Sequence, residues 1–292
     1  MKNLGLVIIL VILILCGLWL YNCTFGKTDA KTGKNNILNI SADTNEKQNN
    51  TNQLPNPANT VANSPTPAAT KTITGDFSVP ILMYHYIRVN PDPADEMGAN
   101  LSVSPDVFRE QMQYLKNNGY EAVNVSQILN DDGKKKIAIT FDDGYKDAIE
   151  NAYPALNDFN FPATVFVITE KVGQDGYLSW EDIINLKNAG WEIGSHTLNH
   201  PNLVQIVTDS AKNEITESKK ILEEKLKTTI NSFCYPAGKY DETIINLLKD
   251  AGYKYATTTN NGYNNNTDNL LELSRVRING SDGVSGFENK IP

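Results

Sequence analysis

The sequence predicts an α/β fold: one mostly parallel sheet, open or closed into a barrel, in a single domain from about residue 76 to the C-terminus. Two observations predict it. Short β-branched and apolar runs alternate with amphipathic segments of helical length, at the spacing of βα units. One such run, residues 137–141, reads Ile-Ala-Ile-Thr-Phe and then breaks at Asp142, Asp143 and Gly144, as a buried strand does where it turns out of a sheet. A third observation marks the end of the sheet that matters. The three histidines all follow predicted strands, and the carboxyl ends of parallel strands are where α/β folds gather their chemistry. No internal repeat is present.

Before this domain come two segments of different character. Residues 4–21 form an apolar run behind Lys2. As a helix it would be about 27 Å long at ~1.5 Å per residue, close to the ~30 Å hydrocarbon core of a bilayer. It exceeds a usual signal-peptide core, and no small-residue cleavage site follows it closely. Residues 1–26 are therefore expected to be a transmembrane signal-anchor. Lipidation at Cys23 is disfavoured by the bulky Tyr21 and Asn22 before it. Lys2 keeps the N-terminus inside, so the remainder would lie outside the cell membrane. Residues 27–75 are rich in Asn, Thr, Ala and Pro, without helical or strand period. They are too polar to bury a core and read as a disordered tether.

Within the domain, residues 79–84 predict the first strand, delivering His85. Residues 90–100 read as a Pro/Asp/Gly-rich loop. Ser104 and Pro105 are an N-cap and first-turn pair for a helix with Phe108, Met112 and Leu115 inward, ended by Gly119. Residues 120–125 predict a short strand and 126–130 a short helix. Lys134–Lys136 reads as a solvated turn. After the central strand, residues 147–159 predict a helix and 163–168 a strand. Ser179 caps a helix carrying Trp180, Ile183 and Leu186, and 191–195 form a strand delivering His196. A long helix spans about 209–226, a strand 230–235, a helix 241–251 and a strand 253–258. An Asn-rich loop over 260–269 leads into a last strand, 273–278.

Composition narrows the function. A net charge of −8 argues against nucleic acid and offers no polybasic patch for a membrane surface. Of three cysteines, Cys16 and Cys23 lie in or beside the apolar run, so Cys234 has no partner in the domain. That argues against a disulfide framework or a thiolate zinc site; Cys234 reads as a small buried hydrophobe.

His196 and His200 form a His-x-x-x-His pair, a spacing at which one turn can aim both imidazoles at one cation. Pro201 disfavours a continuing helix, which places the pair on a loop with one tight turn. Two neutral imidazoles with a carboxylate from another strand leave a coordination position open for water or substrate. Surface or capping histidines are the bland alternative, as a polar turn is for Asp142-Asp143-Gly144.

Thr140-Phe141-Asp142-Asp143-Gly144, followed by Ser195-His196-Thr197-Leu198-Asn199-His200 and then Phe233-Cys234-Tyr235-Pro236-Ala237-Gly238, resembles the first three motifs of the polysaccharide deacetylases, carbohydrate esterase family four. The resemblance spans roughly residues 79–280. It implies a distorted (β/α) barrel of about seven strands and metal-dependent removal of acetyl groups from N-acetylglucosamine units of a polymer. It assigns Asp143, His196 and His200 to the metal, with zinc favoured and cobalt, nickel or iron also compatible with such ligands. Asp142 becomes the general base towards a water acidified by the cation. A backbone N–H near Tyr235 and Pro236 becomes an oxyanion donor.

Two departures from the family pattern stand out. Many members carry an Arg before the third-motif Pro that steadies the catalytic Asp; Cys234 and Tyr235 stand here instead, leaving Arg275 or Arg277 as possible substitutes or as structural pairs. Many members also take their general acid from a His near the C-terminus. None follows His200 here; His85 resembles the early His of the poly-N-acetylglucosamine deacetylase subgroup. An imidazole suits protonation of a leaving amine near neutral pH. Trp180 and loop tyrosines are candidates for stacking on sugar rings, with a helix-core role for Trp180 as the alternative.

The expected activity is thus N-deacetylation of an extracellular or cell-wall polysaccharide by a membrane-anchored enzyme. Poly-N-acetylglucosamine is favoured by His85, and peptidoglycan is suggested by location. A metal-containing glycan-binding module without turnover, and an esterase acting on O-acetyl groups, are the rival readings.

Overall fold

The computed structural model describes residues 78–292, apart from 93, 131 and 265–268. Eight strands form one parallel sheet: β1 (Ile81–Tyr84), β2 (Tyr120–Val123), β3 (Lys135–Phe141), β4 (Thr164–Val167), β5 (Glu192–Ser195), β6 (Ser232–Cys234), β7 (Tyr255–Asn261) and β8 (Leu273–Arg277). The order runs β1-β8-β7-β6-β5-β4-β3, and β3 pairs again with β1, so these strands close into a seven-stranded barrel. β2 is appended to the outside of β3. β1 is the closing stave, with Leu82 in register with Val276 on one side and Ile139 on the other.

Side-chain alternation sorts the strands into two cores. Leu82, Tyr84, Ile139, Phe141, Val165, Val167 and Phe233 join the helices in the larger core. Ile81, Ala138, Phe166, Cys234 and Leu273 fill the smaller one, inside the barrel. Gly194 lies on the inward set because Phe166 occupies the space its Cβ would need, at 2.5 Å. Continuing each inward set towards the carboxyl ends gives Ile81–Met83–His85, Ala138–Thr140–Asp142, Gly194–His196 and Leu273–Arg275–Arg277. The polar residues of the barrel are therefore the upper layers of columns whose lower layers are apolar.

The outer layer consists of α1 (Glu96–Leu101), α2 (Pro105–Asn117), α3 (Tyr153–Phe159), α4 (Trp180–Asn188), α5 (Thr208–Leu226), α6 (Glu242–Asp250) and α7 (Gly283–Glu288). The expected caps form: Ser104 accepts from Val107 N–H and Ser179 from Asp182 N–H; Asp241, expected as the first residue of its helix, is instead its cap and accepts from Ile244 N–H.

Several expectations are corrected. The segment 90–100 is not all loop, since Asp95 accepts from Gly98 N–H and starts α1. The lysine run is not a solvated turn: Lys135 and Lys136 begin β3, and the Lys136 side chain is buried with Nζ 3.0 Å from Asp132. The helix after the central strand opens as a π turn, Ala148–Ala152, before α3. β7 runs on to Asn261, into the supposed Asn-rich loop. α7, beyond the last predicted strand, was not anticipated; Phe287 buries fully and meets Tyr114 edge to face. Among the described residues no helix is long and apolar enough to cross a membrane; the apolar run 4–21 and the tether 27–75 lie outside them.

Candidate active site

The carboxyl ends of β1, β3, β5, β6 and β8 converge on two adjacent carboxylates. Asp142 continues the inward column of β3 and is almost completely buried. Asp143 and Gly144 then take left-handed conformations, with φ of 70° and 77°. That turn aims the second carboxylate into the same cleft, where an extended strand would point it away. A non-glycine residue held there is strained; here the strain brings the two carboxylates together.

Arg275 of β8 holds Asp142 as a fork, Nη1 to Oδ1 and Nη2 to Oδ2, both at 2.7 Å. Its other donors are also placed, Nε on Thr258 O at 2.8 Å and Nη1 on Thr140 Oγ1 at 3.1 Å. Burial by itself would raise the Asp142 carboxyl. Arg275, by charge and hydrogen bonding, outweighs it and holds the group well below the usual carboxylate range. The guanidinium missing from the third motif is thus supplied by a strand two places round the barrel. Cys234, which occupies the motif position, lies with Sγ 3.3 Å from Arg275 Nη2.

Asp143, His196 and His200 place one ligand atom each within 4.8 Å of one another. Nε2 of His196 and of His200 lie 3.4 and 3.6 Å from Asp143 Oδ1. His196 Nδ1 is 2.7 Å from the Cys234 carbonyl, which fixes the proton on Nδ1 and leaves Nε2 as the donor to a cation. Burial, then the neighbouring His196, lowers the His200 pKa and keeps its imidazole neutral. The set fits a divalent metal: it offers two imidazole nitrogens and the Asp143 carboxylate, which His196 holds ionised against its own burial. Burial would lower the His196 pKa, but Cys234 and Asp143 raise it well above its ordinary value, so a cation bound at Nε2 would displace a proton there. Asp142, His196 and Cys234 also cluster, but there the Arg275 guanidinium already occupies the charge position.

The histidine loop is a tight turn, with Thr197 and His200 both left-handed at φ 69° and 62°. His200 N–H donates to Thr197 Oγ1 at 2.9 Å. Glu214 of α5 accepts from Leu198 N–H and Asn199 N–H, both at 2.9 Å, and from the Asn199 side chain at 3.0 Å. Glu214 had no signal in the sequence beyond an acidic residue on an amphipathic helix. The Cys234 carbonyl and the Thr258 carbonyl could not have been found, because backbone acceptors are invisible until register is known.

His85 faces the pair from β1, with Nε2 3.8 Å from Asp142 Oδ2. Burial lowers its pKa, against the raising pull of Asp142 and Asp143. Tyr235 and Pro236 follow β6 beside the site, but the Tyr235 N–H is spent on Thr257 O at 3.2 Å. Pro236 has no N–H, and Gly238 and Lys239 donate back into the turn. Ala237, left-handed at φ 52°, has the one N–H of this turn without an acceptor among the described residues. The N–H left available near Tyr235, where an oxyanion donor is expected, is therefore that of Ala237. Trp180 is not at the site: it packs against the outer core, with Lys225 Nζ 5.6 Å from its ring centre. Arg277 forms no hydrogen bond or ion pair with Asp142; it is half buried, and among the described residues its side chain has no such partner.

Comparison with known proteins agrees with this geometry. The family model for polysaccharide deacetylases matches residues 129–256, a span that holds Asp142, Asp143, His196 and His200 and excludes both His85 and Arg275. The chain is 32% identical over 214 residues to YxkH of Bacillus subtilis (strain 168), a polysaccharide deacetylase by name, covering 71% of this chain and 73% of the relative. It is 27% identical over 175 residues to the poly-beta-1,6-N-acetyl-D-glucosamine N-deacetylase of Staphylococcus aureus (strain MSSA476), covering 53% of this chain and 60% of that enzyme. The structure of the Streptococcus pyogenes deacetylase PplD in complex with acetate superposes with a TM-score of 0.70 at 32% identity, over 75% of this chain and all of that one.

Proposed function

The chain belongs to the polysaccharide deacetylase family, and on that premise we propose that it is a metal-dependent N-deacetylase of N-acetylglucosamine units in an extracellular or cell-wall polysaccharide, poly-N-acetylglucosamine foremost. One observation carries the reading: a carboxylate kept ionised by Arg275 stands between an Asp-His-His metal set and an imidazole 3.8 Å away. The resemblance of His85 to the early His of the poly-N-acetylglucosamine subgroup, and the name of the Staphylococcus aureus relative, favour that polymer.

A divalent cation held by Asp143, His196 and His200, zinc first, would supply Lewis-acid polarisation of the acetyl carbonyl and acidify the attacking water. The protein's own groups do the rest. Asp142 takes the proton of the water that attacks the acetyl carbon, and Arg275 keeps it ionised to do so. The Ala237 N–H donates to the carbonyl oxygen as it gains charge. His85, on the other side of Asp142, gives a proton to the departing amine nitrogen, so that acetate and a free amine result.

The reading as a binding module drew its support from the missing third-motif Arg. Arg275 removes that ground. The apolar run 4–21 and the polar stretch 27–75 support a single-pass anchor in a bacterial cell membrane with the domain outside.

The test is acetate release by the metal-loaded protein from poly-β-1,6-N-acetylglucosamine, peptidoglycan and an O-acetylated glycan in parallel, with Asp142→Asn as control. Release from the first polymer that the control abolishes is the expected result. Release only from peptidoglycan or only from O-acetyl groups would replace the substrate, and metal binding without release from any would reinstate a binding role.

A further inference from the structure

Of the chain's four arginines, all among the described residues, Arg277 is the one whose guanidinium has no hydrogen-bond or ion-pair partner among those residues. Arg109 pairs with Asp158, Arg275 with Asp142, and Arg88 lies over the Tyr86 ring and near Asp147. Its position follows from strand parity. Arg275 and Arg277 share a face of β8, so Arg277 stands one layer above the Arg275–Asp142 pair at the barrel mouth. Register sets it beside Met83, two residues before His85. It is close enough for its charge to act on both His85 and Asp142.

The side chain lines a cavity of about 520 Å³, shared with Thr259, Asn261, Tyr263, Asn289 and Lys290. No Asp or Glu lies in the wall. The Lys290 ammonium is already committed to Asp282 and to the Arg277 carbonyl. The side-chain amides of Asn261 and Asn289 have no hydrogen-bond partner among the described residues. Tyr263 anchors its hydroxyl on Lys290 O and leaves the ring 44% exposed. Free amides, an exposed aromatic face and a concave polar wall are what a pyranose ring is held by. A half-buried guanidinium adds a demand of its own: its N–H donors require acceptors, and it disfavours a second cation nearby.

We propose that this cavity is the subsite for the sugar next to the one being deacetylated, and that Arg277 makes it accept an N-acetylated unit and reject a glucosamine. An acetamide offers its carbonyl oxygen to the guanidinium. An ammonium offers no acceptor and adds like-charge repulsion, so both effects act in one direction. The enzyme would then avoid units adjacent to its own products and leave them spaced along the chain. This rests on the reading as an N-deacetylase of a glucosamine polymer.

The experiment separates the two. Affinities of the full-length, metal-free protein for a β-1,6-linked N-acetylglucosamine tetramer and for its fully deacetylated counterpart are measured by calorimetry, and acetate release is measured separately with metal. The acetylated tetramer should bind at least about tenfold tighter at low salt, and 1 M salt should shrink the ratio. Arg277→Lys should keep the discrimination against the amine, whereas Arg277→Gln and Arg277→Leu, checked for unchanged melting temperature, should bring the ratio towards unity. Equal affinities in the wild type, or a ratio unmoved in both neutral variants, would overturn the assignment even if acetate is released. Discrimination that follows Arg277 without any acetate release would uphold the subsite and sink the enzymatic reading instead. Tighter binding of a tetramer bearing a carboxylate or phosphate than of the acetylated one would show that the guanidinium serves an anionic glycan, and would also overturn it.

Discussion

Replacing Arg275 by Met removes the charge at roughly constant side-chain volume and tests what keeps Asp142 a base. Both partners are buried, with side-chain exposures of 0% and 4%, and two charge-assisted bonds of 2.7 Å join them. Stripping one partner from a buried pair costs about 3–5 kcal/mol if the other stays charged. A carboxylate has a less costly course, which is to take up a proton. Each unit of pKa corresponds to about 1.4 kcal/mol, so a cost of that size is worth about 2–4 units, and burial with no guanidinium to oppose it carries Asp142 from below the usual carboxylate range to above it, towards neutrality. A protonated Asp142 cannot accept a proton from water. We therefore expect kcat/KM at pH 7 to fall by about 10²–10⁴, the usual contribution of a general base, and to recover partly as pH rises. Metal content should persist, because Asp143, His196 and His200 are untouched.

Stability gives a second readout with a definite sign. In the wild type the folded pKa of Asp142 lies below its unfolded value. Its stabilisation is therefore complete above the unfolded value of about 3.9 and is lost as pH falls through the folded pKa. In Arg275→Met the folded value lies above the unfolded one, so the contribution reverses and stability falls as pH rises between them. The gap between the two proteins in urea denaturation should be wider at pH 8 than at pH 4. A gap independent of pH, with the acid limb of kcat/KM unmoved, would refute the argument.

Three further outcomes follow from the same geometry. Moving the guanidinium by combining Cys234→Arg with Arg275→Met should recover at least about tenfold of the lost kcat/KM, since Cys234 Sγ already lies 3.3 Å from Arg275 Nη2; steady-state kinetics of the pair against the single variant decides. Glu214→Ala should weaken metal affinity by about 10–100-fold, the usual effect of removing a group that orients a ligand, because it frees the turn carrying His200; competition with a chromophoric chelator measures it. Burial lowers the His85 pKa, so the folded metal-free protein binds fewer protons there and gains stability as pH rises from the folded value to about 6.5; His85→Gln should flatten the difference in melting curves taken across that window.

The parts of this protein legible in the sequence are those encoded locally. A capping Ser before a helical run, an alternating strand broken by Asp-Asp-Gly, and a His-x-x-x-His stopped by Pro are decided within a few residues, and they carried the α/β alternation and the metal set. Lys136 escaped because its burial depends on Asp132, which neutralises it across a turn, and a three-lysine run carries no mark of that. α7 escaped because Phe287 is its one fully buried side chain and no apolar repeat surrounds it. Trp180 was attractive for its ring, but at the first position of a helix on the outer layer it packs against the outer core and beside Lys225 of the neighbouring helix.

Arg275 marks the boundary between these two kinds of information. From the sequence it was one of two arginines on the last strand, and nothing local separated a catalytic partner from a structural one. Closure of the barrel separates them. β8 lies beside β1, β1 beside β3, and Arg275 and Asp142 both point inward, so one guanidinium meets the carboxylate while the other, a layer higher, cannot reach it. The same closure lets His85, far upstream in the sequence, stand beside Asp142. A ring of strands has no first or last member in space, so a required charge can come from any stave whose inward column reaches the same layer. A motif position can then be vacated, as at Cys234, without vacating the site. A missing motif residue in such a fold is therefore weak evidence for lost activity until the inward residues of every neighbouring strand have been checked at the layer where the charge is needed.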